Sequence, residues 1–286
     1  MKRHLFIIAA VVLFCSSTCE KQSPDETPVD ANPDSLAVVS AQWNWNVDSS
    51  GVTSGYATFP LFNKQASLSA AHYPAGNLSL SIVYHMGEDC MTTSAAGIDA
   101  GAVLAINGSY FDMKNLTAET FYASGDSLIC ANPCGGRTDG IVGIYDDGHS
   151  MDIQIADSTM YESYVKKYEE VLAAGPVLLI DGEIVPNGHN DFNDTSHPRS
   201  ILGKDADGNI WMLVIDGRFP GQGEGASIEE CSLICRYLGM TDAINLDGGG
   251  SSTLWTSEAG VINHPCDNRT WDHLGERKDP TVFVVK

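Results

Sequence analysis

Residues Asn245 to Ser252 read Asn-Leu-Asp-Gly-Gly-Gly-Ser-Ser, and no other stretch of the chain packs so much potential chemistry into so few positions. Consecutive glycines cost backbone entropy and bury nothing, so they belong where φ must be positive or where a ligand must approach the main chain. Successive N–H groups in such a turn can form an anion-binding nest. Asn245 and Asp247 are two apart and can share a face of a strand. An amide, a carboxylate and a bare backbone cradle would then meet. A tight hairpin accounts for the octet alone equally well.

A second cluster favours a site. His197-Pro198-Arg199-Ser200 precedes an apolar run, a polar turn at Asp207-Gly208, a second apolar run, and then Asp216-Gly217-Arg218. Asp-Gly between apolar runs is a hairpin signal, so Arg199 should lie beside Asp216 and Arg218. Guanidinium offers paired donors in a fixed fork that suits phosphate or carboxylate. A structural ion pair at a strand end is the competing reading for either arginine alone.

The elements that must position these residues can be sketched. Strands are expected at Leu36 to Val47, with Trp43 and Trp45 on one side, and at Leu78 to Tyr84. Ala102 to Ile106 is a short buried strand that delivers Asn107 and Gly108. Hairpins are expected around Asp146-Asp147-Gly148 and around Asp181-Gly182. Thr159 to Ala173 reads as a helix, with Thr159 and Glu162 at capping-box spacing. Ser227 to Leu238 is the clearest helix: Ser227 and Glu230 repeat that spacing, Ile228, Cys231, Ile234, Cys235 and Leu238 form one stripe, and Gly239 closes it. Strands Ala243 to Leu246 and Thr281 to Val285 follow. The expected class is mixed α/β (α+β), with a predominantly antiparallel sheet and packed helices.

The chain of 286 residues has a net charge of −21. So acidic a surface repels nucleic acid and anionic membranes at long range. An anionic ligand therefore needs a local cationic site, for which Arg199, Arg218 and Arg277 are the candidates. Lys2 and Arg3 before an apolar Leu5–Phe14 run mark residues 1–19 as an export signal, with Cys19 a candidate for lipid attachment. Residues 20–35 read as an acidic, disordered tether. The remainder divides into a β-rich part at 36–94 and a catalytic part at 95–286. The expected location is the periplasm or the outer surface of a bacterial cell, with membrane contact only through the lipid. Export makes disulfides plausible among Cys90, Cys130, Cys134, Cys231, Cys235 and Cys266, while the stripe places Cys231 and Cys235 in a core. No nucleotide-binding glycine loop and no nucleophile elbow around Ser251 and Ser252 is present.

Six pieces in order resemble the phosphodiester glycosidase family: Asn107-Gly108-Ser109-Tyr110-Phe111-Asp112, Ala174-Gly175-Pro176-Val177-Leu178, His197-Pro198-Arg199-Ser200, Asp216-Gly217-Arg218, the Asn245–Ser252 octet and Gly275-Glu276-Arg277. The resemblance covers about residues 95 to 285. Ser109 stands where a second glycine is common and Ser200 where threonine is common. His264 to Leu274 looks like an insertion. The resemblance implies hydrolysis of a sugar-1-phosphodiester, of the N-acetylglucosamine-1-phosphodiester kind, at the anomeric carbon. That chemistry needs a carboxylate to activate water or to attack the sugar. Asp216 and Asp247 are the first candidates and Glu276 the reserve. Arg199, Arg218, Arg277, Gly248, Gly249, Gly250 and Ser251 would hold the phosphodiester, with Asn107 and Asn245 on sugar hydroxyls. No cofactor is required, and calcium is a possible addition because Asp-rich turns can bind it. Asp205–Gly208 reads instead as a hairpin turn. Two competing readings are a non-catalytic carbohydrate-binding lipoprotein, with Trp271 stacking on sugar and Trp255 in the core, and a hydrolase of exopolysaccharide or cell-wall glycan.

Overall fold

The computed structural model describes residues 32–133, 135–156 and 158–286. Three antiparallel sheets meet around one apolar centre. The largest, of eight strands, runs in the order Asn46–Val47, Thr53–Leu61, Lys64–Tyr73, Ile210–Ile215, Arg199–Asp205, Met240–Asn245, Val177–Ile180, Glu183–Ile184. A five-stranded sheet is built on Glu170–Ala174 and Gly140–Ile144, and another on Leu104–Asn107, Leu254–Thr256 and Thr281–Val285. All paired strands are antiparallel, as the turn-rich sequence implies.

Alternation along the strands sorts the side chains. In the Arg199–Asp205 and Ile210–Ile215 hairpin, Leu202, Met212 and Val214 enter the central core, with Leu104, Ile106, Val142, Leu172 and Phe283 from the other sheets. Ile201, Leu213 and Ile215 point to the opposite face, where Ile228, Cys231, Ile234 and Cys235 cover them. The helix Ile228–Tyr237 carries that stripe. Its capping box is complete, with Ser227 Oγ accepting from the Glu230 amide and Glu230 accepting from the Ser227 amide.

Several elements differ from the sequence reading. Leu36 to Val47 is not one strand: Pro33–Ser40 is a helix capped by the Asn32 side chain, and only Asn46–Val47 is extended. Proline in the first turn and asparagine before it favour that start. The last residues assigned to the tether, Pro33 to Ser35, thus lie in the helix. Trp43 and Trp45 do share a side, stacked at 4.6 Å. Thr159 to Ala173 holds a helix only at Tyr161–Lys167, with Met160 at its N-cap position and no side-chain cap; Glu170–Ala174 is a buried strand. A short run that is apolar on both faces does not reveal its period. The 36–94 part shares its sheets with the rest of the chain: Lys64–Tyr73 pairs along Ile210–Ile215 and Leu80–Tyr84 pairs along Thr281–Val285.

The export signal, the Cys19 lipid site, most of the tether and Cys134 lie outside the described residues. Cys90, Cys130, Cys231, Cys235 and Cys266 are free thiols. Among the described residues no helix is long and apolar enough to cross a membrane.

Candidate functional site

The octet is a crossing between two sheets, not a hairpin. Met240–Asn245 pairs with Arg199–Asp205 and Val177–Ile180. Beyond the single 3-10 turn Gly249–Ser251, Leu254–Thr256 pairs with Leu104–Asn107 in another sheet. Backbone bonds stitch the crossing on both flanks: the Leu246 amide to Ser200 O at 2.8 Å, Asp247 to Gly108 O at 3.0 Å, and Gly249 to Pro198 O at 2.9 Å. Gly249 has φ +64, as a positive-φ turn demands. A Cβ on Gly248 would sit 2.5 Å from Pro198 O, so this glycine is required by close packing.

The turn borders a cavity of 520 Å³ lined by Arg218, Phe219, Cys266, Asp267, Arg269 and Arg277. A Cβ on Gly249 would meet Arg218, and one on Gly250 would overlap Arg277 and Asp267. Thus Arg218, Arg277, Gly249 and Gly250 do converge. The nest is narrower than expected, because the Gly248 and Gly249 amides are bound to Asp247 Oδ1 and Pro198 O. Other clefts, of 270 Å³ beside Asn44 and Glu258 and 210 Å³ beside His189 and Asn193, contain no arginine.

Asp247 is partly exposed. Burial raises its pKa, opposed by hydrogen bonds from Ser251 Oγ and the Gly248 amide and by the charges of Arg277 and Arg137. Arg137 was absent from the sequence candidates. It stacks over Tyr110 at 4.5 Å and Phe192 at 5.2 Å, and adds positive potential at Asp247. Its only signal in the sequence is a pair of glycines before it.

Asp216 is not a free carboxylate. It is 1% exposed and accepts from Ser67 Oγ at 2.8 Å, Asn263 Nδ2 at 3.1 Å and the His264 amide at 2.9 Å. Its Oδ2 also lies 3.1 Å from His264 Nδ1. Asp216 therefore orients an imidazole, which stacks on Trp271 at 3.7 Å. Asn263 joins this pair to the octet by donating to Ser252 O at 3.0 Å.

Five other candidates are structural. Arg199 shares the strand face of Ile201 and turns toward the helix, where it donates to Ala226 O, Phe192 O and Thr195 O and lies over the Phe192 ring. Glu276 accepts from the Ser94 amide and hydroxyl at the start of the helix Thr93–Asp99, so it anchors that helix. Asn107 is fully buried: Oδ1 accepts from Ser200 Oγ at 2.7 Å and the Thr253 amide at 3.2 Å, while Nδ2 donates to Asp247 O at 2.7 Å. Asn245, also buried, donates to Gly175 O, Tyr110 Oη and Leu246 O. Neither amide is presented to a sugar. Ser251 is buried and binds Asp247 and Asp279, so it is an internal link and not a contact for phosphate.

The segment set apart as an insertion builds the cavity wall, through Cys266, Asp267 and Arg269. Arg277 is fixed there by Asp267 at 2.5 Å. Burial pushes the Cys266 thiol up, although Arg218 Nη1 lies 3.6 Å away, so the thiol stays protonated at neutral pH. Trp255 is core, as expected. Asp205 accepts bonds from the Asp207 and Asn209 amides, the Asn209 side chain and Trp211 Nε1, which makes it the anchor of its turn. Among the described residues no group of three His, Cys, Asp or Glu side chains is arranged around a metal position.

Residues 100–286 match the family described as phosphodiester glycosidase. Over 196 residues the chain is 24% identical to N-acetylglucosamine-1-phosphodiester alpha-N-acetylglucosaminidase of Mus musculus; the match spans 63% of this chain and 37% of that protein, well under half its length. In structure it is similar to the zebrafish N-acetylglucosamine-1-phosphodiester alpha-N-acetylglucosaminidase catalytic domain auto-inhibited by its pro-peptide, with a TM-score of 0.61 and 20% identity over 85% of this chain and 81% of that one. A hypothetical protein from Synechocystis gives a TM-score of 0.57 at 15% identity, over 82% of this chain and 62% of that one. At these identities the structural likeness concerns the fold.

Proposed function

The chain belongs to the phosphodiester glycosidase family, and from that premise we propose that it hydrolyses a sugar-1-phosphodiester, of the N-acetylglucosamine-1-phosphodiester kind, at the anomeric carbon. The observation that carries the reading is the carboxylate of Asp247, a partly exposed residue in the field of Arg277 and Arg137 beside a glycine turn and an arginine-lined cavity. In this scheme Arg218 and Arg277 hold the phosphodiester oxygens by forked hydrogen bonds. They neutralise the charge that grows on the phosphate as the glycosidic bond breaks. Phosphate so stabilised leaves without a strong general acid. Asp247 supplies the carboxylate, as base toward water or as nucleophile toward the sugar. The anomeric configuration of the product distinguishes the two, since a base inverts and a nucleophile retains. His264, held by Asp216, is the second group able to move a proton. No step is routed through a metal, and calcium addition is a simple control. Export and lipid attachment at Cys19 belong to the same proposal and give the enzyme an extracytoplasmic glycan as substrate.

The test is a panel of sugar-1-phosphodiesters with products resolved by mass spectrometry. Wild-type turnover should release free sugar and a phosphomonoester. Asp247→Asn should lower kcat by about 10²-fold or more. Binding without turnover would make the protein a carbohydrate-binding lipoprotein, and cleavage of a phosphate-free glycan would move it to a different hydrolase class.

A further inference from the structure

Ser251 lies between two carboxyl groups. Its Oγ is 2.8 Å from Asp247 Oδ2 and 2.8 Å from Asp279 Oδ1. A hydroxyl has one hydrogen and can donate to only one of them. Were both acids ionised, the other contact would set lone pair against lone pair, with Ser251 0% and Asp279 1% exposed. One carboxyl group must therefore bring its own proton. Asp247 has the better anion site, with the Gly248 amide at 2.9 Å on Oδ1 and two arginines in range. Asp279 Oδ2 is buried with no hydrogen-bond partner, which is a poor place for a negative charge.

We infer that Asp279 is a neutral acid in the working enzyme: its proton bonds Ser251 Oγ, the Ser251 hydrogen bonds Asp247 Oδ2, and the trio carries a single negative charge centred on Asp247. The other charged and titratable groups facing Asp279 are Arg277, Asp267 and the Cys90 thiol, with exposed Lys278 next in the chain. Burial first, and then the Asp247 charge, drive the Asp279 carboxyl well above the carboxylate range, while Ser251 and Arg277 oppose them. Asp279 is a positioning residue. It fixes which lone pair of Asp247 is spent on Ser251 and keeps that carboxylate ionised. The catalytic consequence rests on the proposed function; the location of the proton does not.

The inference is tested first without turnover. Infrared spectra of the full chain at neutral pH should contain a protonated carboxylic-acid band, and Asp279→Asn should lose part of it. Absence of any such band in the wild type would overturn the inference whether or not the variant folds. Kinetics come second. Asparagine can donate to Ser251 but cannot ionise, so Asp279→Asn should keep kcat/KM within about threefold at neutral pH, whereas Asp279→Ala, which lets Asp247 swing, should lose about 10²-fold. Raising the pH should switch off the wild type as Asp279 ionises, and that alkaline limb should vanish in Asp279→Asn. An Asp279→Asn enzyme as damaged as Asp279→Ala, or one with an unchanged alkaline limb, refutes the neutral acid. No turnover by the wild type, with the infrared result intact, refutes the proposed function alone.

Discussion

Arg199 and Arg218 flank one hairpin and do different work. Arg199 is buried against three backbone carbonyls and an aromatic ring. Truncating it strands those acceptors, so Arg199→Ala should cost about 3 kcal/mol, read from urea unfolding. Arg218 is exposed at the cavity, with φ +69. Arg218→Ala should leave the unfolding midpoint nearly unchanged and raise KM for a phosphodiester by about tenfold, the worth of one charge-assisted pair. If the two variants exchanged these behaviours, the assignment of the cationic site would be wrong. Asp216 and Asp247 divide similarly: four hydrogen-bonding contacts commit the first to His264, and the second, in a partly exposed residue, accepts only from Gly248 and Ser251.

At the scale of elements, two short features are open to direct test. Ser227→Ala removes the cap of the helix Ile228–Tyr237 and should cost about 1 kcal/mol. Gly249→Ala forces a side chain into positive φ and against Arg218, so it should cost about 1–2 kcal/mol and displace the guanidinium, raising KM as well. Measuring both separates a helix effect from a site effect. The helix, its cap, the Arg199–Ile215 hairpin and the octet were legible in the sequence, because each is written in local signals: a capping box, Asp-Gly, a glycine run. The Asp-Gly turn brought Arg199 opposite Ile215, one residue short of Asp216. Alternation puts Arg199 and Ser200 on opposite faces of the strand, but the chain does not say which face meets the helix and which meets Asn107. His264, Arg137 and Asp279 were invisible for a related reason. Each acquires its role from a partner far along the chain, and none sits in a motif.

Across the whole molecule, acidity acts with both signs. Burial works against ionisation of Asp152, but hydrogen bonds from Lys167, Tyr168 and Tyr145 prevail and hold its pKa near about 2, against the usual 3.8. Its contribution is present above pH 3.8 and is lost as pH falls through about 2. Asp279 is shifted upward, so its contribution is present below the ordinary carboxylate range and fades as pH rises. Melting curves should therefore show a shallower acid limb in Asp152→Asn and a smaller decline above pH 4 in Asp279→Asn; parallel shifts across all pH values would contradict both. The crossing at Asn245–Ser252 carries a different message. Surface loops ordinarily give up their amide protons to deuterium quickly. This one is the strap that ties two sheets together, bonded to Pro198 and Ser200 on one flank and to Asn107 and Gly108 on the other. The amides of Leu246, Asp247 and Gly249 should exchange as slowly as those of the strands around them. A substitution that loosens them should then be felt as slackening of the whole sandwich, well beyond the chemistry at its mouth.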